Sequence, residues 1–110
     1  MSLPFRMNET QLKGVVLEYA SLMGWLIHHD RPARTNQGWR TAIEGDAGFP
    51  DLVLARIPRL VVVELKDAYR KTSREQDIWL GAFEGIPGVE THIWRPRDWQ
   101  DGTVQSVLKR

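Results

Sequence analysis

Residues 48–66, with the sequence GFPDLVLARIPRLVVVELK, constrain the fold of this chain more than any other segment. Two apolar runs, 51–56 and 60–66, are separated by a short segment in which Pro58 suits the second position of a tight turn. Apolar runs of this length, rich in valine and leucine and bounded by a turn, are typical of neighbouring strands. The sequence therefore predicts an antiparallel hairpin whose second strand is apolar on both faces.

That second strand ends in two charged residues. Because successive side chains of a strand point to opposite faces, Glu64 and Lys66 share one face and Leu65 points to the other. An unpaired carboxylate in an interior strand is energetically costly. The charged end of this strand is therefore the first candidate for a functional site.

The register of the hairpin decides what faces Glu64. If the turn has an even number of residues centred on 58–59, Asp51 lies opposite Lys66, and Glu64 is its diagonal neighbour on the same face. A turn with an odd number of residues would place Asp51 on the opposite face. With the even turn, two carboxylates and one ammonium group meet at one end of the hairpin.

Two explanations of this cluster remain open on residue types alone. Hard oxygen ligands favour Mg²⁺ or Mn²⁺, and a neighbouring Lys66 could orient a metal-bound water or stabilise charge on a phosphate. The alternative is a buried ion triad of Asp51, Glu64 and Lys66 that only fixes the strand register.

The segments around the hairpin alternate between helix and strand. Apolar residues at three- and four-residue spacing predict a helix over 8–23, with Asn8 as N-cap and Gly24 as C-cap. Residues 25–29 are expected to form a strand. The polar residues 30–47 are expected to form a long loop, with a possible turn of helix over 41–44.

The second half of the chain adds one helix and one strand. A helix capped by Thr72 or Ser73 is expected to face the core with four side chains: Ile78, Trp79, Ala82 and Phe83. A strand follows over 89–94, whereas the pattern of 97–110 is ambiguous. The predicted order is therefore helix, strand, strand, strand, helix, strand. It indicates an α/β or α+β fold with a central mixed sheet flanked by helices.

Length and composition limit the class of protein. A chain of 110 residues is expected to form one domain, here 8–110, after a disordered or extended tail over 1–7. Without cysteine, a disulfide framework and a cysteine-based zinc site are excluded. The sequence contains neither a run of eighteen apolar residues nor the apolar core of a signal peptide, so we expect no membrane association and a cytoplasmic location.

The net charge of +1 argues against a nucleic-acid partner, whereas the type of cation argues for one. Eleven of the fifteen cations are arginine, whose planar fork binds phosphate in a bidentate manner. Polar side chains in the long loop and before the second helix could form a phosphate-binding rim, although a solvated surface is an equal alternative. These candidates are Arg34, Asn36, Arg40, Arg70, Lys71 and Arg74.

The motif formed by 48–51, a spacer of twelve residues, and 64–66 resembles the signature of the PD-(D/E)XK nuclease superfamily. More narrowly, residues 9–95 resemble the VRR-NUC family, the virus-type replication-repair nuclease domain. This resemblance includes a glutamate that opens the first helix, Gly24-Trp25, a loop with arginine and asparagine, and a glutamine in the second helix. It implies a restriction-endonuclease-like core.

The resemblance also implies roles for individual residues. The metal ligands would be Glu9, Asp51, Glu64 and the backbone carbonyl of Leu65, and the metal Mg²⁺ or Mn²⁺. Lys66 would be the catalytic lysine and Gln76 the active-site glutamine. From the residues alone, Glu9 is also explained as an acid favoured by the helix dipole. Gln76 is also explained as part of a capping box with Ser73.

The function implied by the resemblance is that of a divalent-metal-dependent endonuclease that hydrolyses DNA phosphodiester bonds. The expected substrates are branched DNAs such as four-way junctions, the expected assembly is a homodimer, and a helicase or another replication or repair protein is a possible partner. The family also implies a bacterial or phage-encoded protein. Two alternatives remain, which are a non-catalytic nucleic-acid-binding module with the same fold and a structural domain in which the ion triad only sets register.

Overall fold

The computed structural model describes the backbone of residues 6–30, 33–35, 38–40 and 44–110, and the side chains of 6–30 and 44–110. The first helix, α1, spans Glu9–Leu22, as the spacing of its apolar residues predicts. Asn8 caps it through a reciprocal pair of hydrogen bonds. Its side chain accepts from the Gln11 amide at 2.8 Å, and its own amide donates to the Gln11 side chain at 2.9 Å.

A four-stranded mixed sheet forms the centre of the domain. Its strands are β1 (Leu26–His29), β4 (Leu52–Arg56), β5 (Arg59–Leu65) and β6 (Val89–Trp94), in that spatial order. β1, β4 and β5 are antiparallel neighbours, whereas β5 and β6 are parallel because α2 (Arg74–Glu84) connects them. The fold class expected from the sequence, a mixed sheet flanked by helices, is confirmed and is compatible with a restriction-endonuclease-like core.

The segment expected to be a loop contains a small hairpin. Strands β2 (Ala33–Thr35) and β3 (Gly38–Arg40) pair in an antiparallel two-stranded sheet of their own. The prediction of a loop throughout 30–47 is therefore wrong at these positions. Three-residue strands with mixed polar composition carry too little period-two patterning to be recognised. The possible helical turn over 41–44 falls largely outside the described residues.

The β4–β5 hairpin is confirmed, but its register differs from the predicted one. Arg56 pairs with Arg59, so the turn consists of residues 57 and 58 rather than 58 and 59. The even turn length keeps Asp51 and Glu64 on one face, as expected. Continuing the ladder by one residue beyond the Leu52–Val63 pair places Asp51 opposite Glu64, and the expected pairing of Asp51 with Lys66 is wrong.

One face of the sheet carries the main core. α1 and the two C-terminal helices, α3 (Pro96–Gln100) and α4 (Thr103–Lys109), pack on it. The ambiguous segment at the end of the sequence therefore forms two short helices. Their buried side chains complete a cluster with the inward-facing residues of α1, β4, β5 and β6, including Leu12, Val16, Leu54, Val61, Val63, Trp94, Val104 and Leu108.

The opposite face of the sheet is covered by α2, which packs on β6. The predicted core face of this helix is wrong in part. Leu80 is its buried residue, whereas Ile78 is 61% exposed. Trp79 and Phe83 are half-buried because they pack on Phe49 at ring distances of 4.9 and 5.9 Å. The helical period identified the apolar residues of α2 but not which of them would meet the sheet.

None of the helices in the described part of the chain has the length and apolar character needed to cross a bilayer.

Candidate active site

The candidate site lies at the end of β5, on the sheet face that α2 covers. Glu64 is 2% exposed because its strand is interior and α2 crosses above it. Its Oε2 accepts a hydrogen bond from Gln76 Nε2 at 2.8 Å and lies 3.6 Å from Lys66 Nζ. Its Oε1 is buried and finds no hydrogen-bond partner among the residues that the structure describes. Glu64 is thus a buried carboxyl with one oxygen satisfied and one unsatisfied.

Asp51 is held against the same strand by the backbone. It is half-buried and immediately precedes β4, and its Oδ2 accepts a hydrogen bond from the Leu65 amide at 2.8 Å. The Leu65 side chain points to the main core, as strand alternation predicts. Asp51 is therefore placed next to Glu64 by a contact to the strand itself. The role of the Leu65 carbonyl as a metal ligand stays a prediction.

The approach of Asp51 to α2 depends on a glycine. Gly48 has a φ of +94°, and a Cβ at this position would lie 2.5 Å from the backbone carbonyl carbon of Glu75. Only glycine tolerates both the left-handed conformation and this contact. The close approach brings the segment that leads to Asp51 onto the first turn of α2, which also carries Gln76.

The electrostatics of the cluster are unfavourable for two ionised carboxylates. Burial is the main cause that raises the pKa of Glu64, and the negative charge and hydrogen bonding of Asp51 add to it; against the opposing effect of Lys66, the pKa reaches about 8. Lys66 is itself buried, with 7% of its surface exposed. The single ammonium group therefore does not compensate both carboxylates.

Glu9 belongs to the same electrostatic cluster. It is half-buried at the first position of α1, and burial raises its pKa, with Asp51 as the next cause, whereas Lys66 and Arg70 lower it. Burial raises a carboxyl pKa whether or not the helix dipole also acts on it, so the dipole explanation and the ligand role of Glu9 both stay open. The effect of Asp51 on Glu9 indicates that α1 contributes a third carboxyl to the region of Asp51.

Gln76 both caps α2 and contacts the Glu64 carboxyl, whereas its role as the active-site glutamine stays a prediction. Its backbone amide donates to Ser73 Oγ at 3.1 Å, and its side-chain Oε1 accepts from the Ser73 backbone amide at 2.8 Å. This reciprocal pair is a capping box. Its Nε2 donates to Glu64. Because the backbone and Oε1 are held by the cap, the amide nitrogen is directed at the Glu64 carboxyl.

The buried ion triad expected as the structural alternative is present only in part. Lys66 and Glu64 form an ion pair, whereas the hydrogen bond of Asp51 goes to the backbone of Leu65. The shifted register accounts for this, since Asp51 is opposite Glu64 and not opposite the lysine.

The oxygen atoms of the cluster are of the chemical type that binds a hard divalent cation. Carboxylate oxygens are the ligands that Mg²⁺ and Mn²⁺ prefer, and the unsatisfied Oε1 of Glu64 is a free acceptor. Within the side chains described, however, no three histidine or carboxylate groups are arranged to hold a metal ion. Coordination by Glu9, Asp51 and Glu64 together would require at least one of these side chains to turn.

The cations of the predicted rim divide into two groups. Arg70, Lys71 and Arg74 are exposed between β5 and the first turn of α2, and Arg70 acts electrostatically on Glu9. Arg34 and Arg40 lie in β2 and β3, but their side chains, like all of Asn36, fall outside the described residues.

One residue near the site was missed by sequence reasoning. Arg95 follows β6 directly, and its Nη1 donates to the carbonyl oxygens of Asp67 at 2.8 Å and Arg70 at 2.7 Å. These residues follow Lys66 in the chain. The only signal in the sequence is a cation directly after the strand predicted over 89–94, and that signal does not distinguish Arg95 from a surface arginine.

Comparison of the sequence with models of known protein families gives no match, and comparison with curated proteins gives none either.

Proposed function

We propose that this chain is a divalent-metal-dependent endonuclease of the VRR-NUC type that hydrolyses phosphodiester bonds in DNA. The observation that carries the proposal is the buried Glu64 with an unsatisfied oxygen, next to Asp51 and Lys66. Two helices add Glu9 and Gln76 to this strand end. The combination is that of the PD-(D/E)XK motif, and it supplies the acids and the lysine that the chemistry needs.

In the proposed reaction, a water loses a proton and its oxygen bonds to phosphorus, the bond to the leaving oxygen breaks, and the leaving oxygen takes up a proton. Glu9, Asp51 and Glu64 would hold one or two Mg²⁺ or Mn²⁺ ions. Such an ion polarises the phosphate and lowers the pKa of water. Lys66 Nζ, held beside Glu64, would orient the attacking water and stabilise charge on the phosphate. Gln76 would keep the Glu64 carboxyl in place.

Substrate and assembly are part of the same proposal. Exposed Arg70, Lys71 and Arg74, which lie between the end of β5 and the first turn of α2, would be suited to the phosphates on either side of the cleaved bond. Four-way junctions, a homodimer with two sites related by a two-fold axis, and a helicase or repair partner follow from the family resemblance. A homodimer would place two such sites on one branched DNA.

The direct test is cleavage of labelled junction, flap and duplex DNA with Mg²⁺, with Mn²⁺ and with EDTA. We expect metal-dependent cleavage by the wild-type chain, and a loss of at least 100-fold in E64Q and K66A. E84Q and K109A are matched controls, because they make the same changes at exposed positions in α2 and α4. Cleavage that persists in EDTA, or that survives both E64Q and K66A, would contradict the assigned site.

A second function is favoured by one observation. Because no three described side chains are arranged for a metal, the chain could instead be a non-catalytic nucleic-acid-binding module. This alternative predicts junction binding without cleavage, and no rise in melting temperature with Mn²⁺. A titration of melting temperature with Mn²⁺ in wild-type and E64Q proteins therefore separates the two functions.

A further inference from the structure

The segment that follows Lys66 is a compact turn rather than a free loop. The Asp67 carboxylate accepts hydrogen bonds from the amides of Tyr69 at 2.9 Å and Arg70 at 2.8 Å. These contacts fold the backbone back on itself. The side chains of Tyr69 and Arg70 are left exposed, so neither of them anchors the turn by packing.

The end of β6 holds this turn from the other side. The Trp94 carbonyl accepts a hydrogen bond from the Lys66 amide at 3.0 Å, which extends the parallel ladder to the lysine. The next residue, Arg95, donates from one nitrogen to the carbonyls of Asp67 and Arg70, the first and last residues of the turn. A cationic donor that joins two carbonyls is a strong constraint on backbone geometry.

We propose that Arg95 is a positioning residue of the candidate active site, which fixes the turn 67–70 so that Arg70 is presented to a phosphate beside Lys66. The inference rests on the proposed function. Arg95 does not itself contact the carboxyl cluster, and it acts through the backbone of Arg70. Arg70 is exposed and follows Lys66 by four residues, so a fixed turn keeps a cation near the end of the strand that carries Lys66.

The chain offers a matched control for this role. Arg95 and Arg97 are both arginines at the start of α3, but the side chain of Arg97 is exposed and makes none of these contacts. R95Q and R97Q therefore remove the same charge from nearly the same place. We expect R95Q to lower kcat/KM for DNA by about 10- to 100-fold, since loss of orientation at a reacting centre has effects of that size. We expect R97Q to stay within about twofold of wild type.

Two further measurements separate positioning from general damage. In R95Q, hydrogen exchange at the Tyr69 and Arg70 amides should accelerate, while exchange in the core strands β4 and β5 should not change. When R95Q is added to the R70A variant, it should change kcat/KM little further, because Arg95 acts through Arg70. D67A removes the other constraint on the turn at a half-buried position, and it should reproduce the R95Q result if R95Q folds poorly.

The outcomes distinguish this inference from the function on which it rests. If the wild-type chain cleaves DNA and R95Q cleaves at the R97Q rate, the positioning role is wrong and the proposed function stands. Additive effects of R95Q and R70A would also overturn it. If the wild-type chain does not cleave with either metal, the proposed function fails, and the role assigned to Arg95 fails with it.

Discussion

The buried carboxyl of Glu64 should make the metal-free protein less stable as pH rises. The pKa of Glu64 is raised from 4.5 to about 8 in the folded chain, so the folded state holds this proton more tightly than the unfolded state does. Folding stability from this group is fully present below pH 4.5 and is lost as pH rises to about 8. At about 1.4 kcal/mol per pKa unit, the full loss is on the order of 5 kcal/mol.

E64Q isolates this effect because glutamine stays neutral at every pH and can still accept a hydrogen bond from Gln76. We expect the wild-type melting temperature in EDTA to fall, relative to that of E64Q, by roughly 15 °C between pH 5 and pH 8. Other titrating groups, such as Glu9, are common to both proteins and largely cancel in the difference. Thermal melts of both proteins at four or five pH values and one ionic strength measure this difference in melting temperature.

Two results would refute this reasoning. If wild type and E64Q lose stability in parallel, Glu64 does not titrate between pH 5 and pH 8 in the folded chain. If wild type gains stability over E64Q as pH rises, the carboxylate is ionised and well paired with Lys66, as in a structural ion pair. Addition of Mn²⁺ at pH 8 should stabilise wild type and not E64Q, because a cation beside the carboxylate offsets its cost.

Three further changes test the fold around the site by thermal or urea unfolding. Gly48→Ala should lower the free energy of unfolding by roughly 2–4 kcal/mol, because the new Cβ would collide with Glu75 at the start of α2. Gly81→Ala should be neutral or stabilising, because a Cβ at that position has open space around it. Leu80→Ala should lower the free energy of unfolding by about 2–4 kcal/mol because Leu80 is buried, whereas Ile78→Ala, at an exposed position, should lower it by less than about 0.5 kcal/mol. Equal losses in the two variants would contradict the orientation of α2. Glu90→Gln should cost roughly 1 kcal/mol at pH 7, because Arg59 donates two hydrogen bonds of 2.7 Å to the Glu90 carboxylate and so lowers its pKa. This stabilisation should vanish as pH falls through that lowered pKa.

The elements that the sequence predicted well are those with strong local signals. The helix α1 combines a capping box with a regular apolar stripe, and both of its ends were predicted within two residues. The hairpin has two long apolar runs around a proline turn. The presence of Asp51 and Glu64 on one face follows from an even turn length alone, so this part of the site did not depend on the exact register.

The elements that the sequence predicted poorly depend on tertiary contacts. The turn of the hairpin moved by one residue because either of two adjacent dipeptides can close an even turn around Pro58. The inward face of α2 was misjudged because Trp79 and Phe83 pack on Phe49, which lies 30 residues earlier than Trp79 in the chain. Arg95 acts on carbonyl groups, and backbone acceptors leave no trace in the sequence of their partner.

The shifted register also bears on the choice between a structural and a functional cluster. With Asp51 opposite Lys66, the expected triad would have stabilised the hairpin through a cation between two acids. With Asp51 opposite Glu64, two carboxyls adjoin, the ion pair with Lys66 involves Glu64 alone, and a buried Glu64 oxygen has no partner among the described residues. An apolar residue at position 64 would avoid this cost, since buried ionic groups are often less stabilising than well-packed apolar ones. The proposed catalytic role of Glu64 predicts a buried carboxyl that costs stability at one strand end. A purely structural triad predicts a cluster in which each acid is paired.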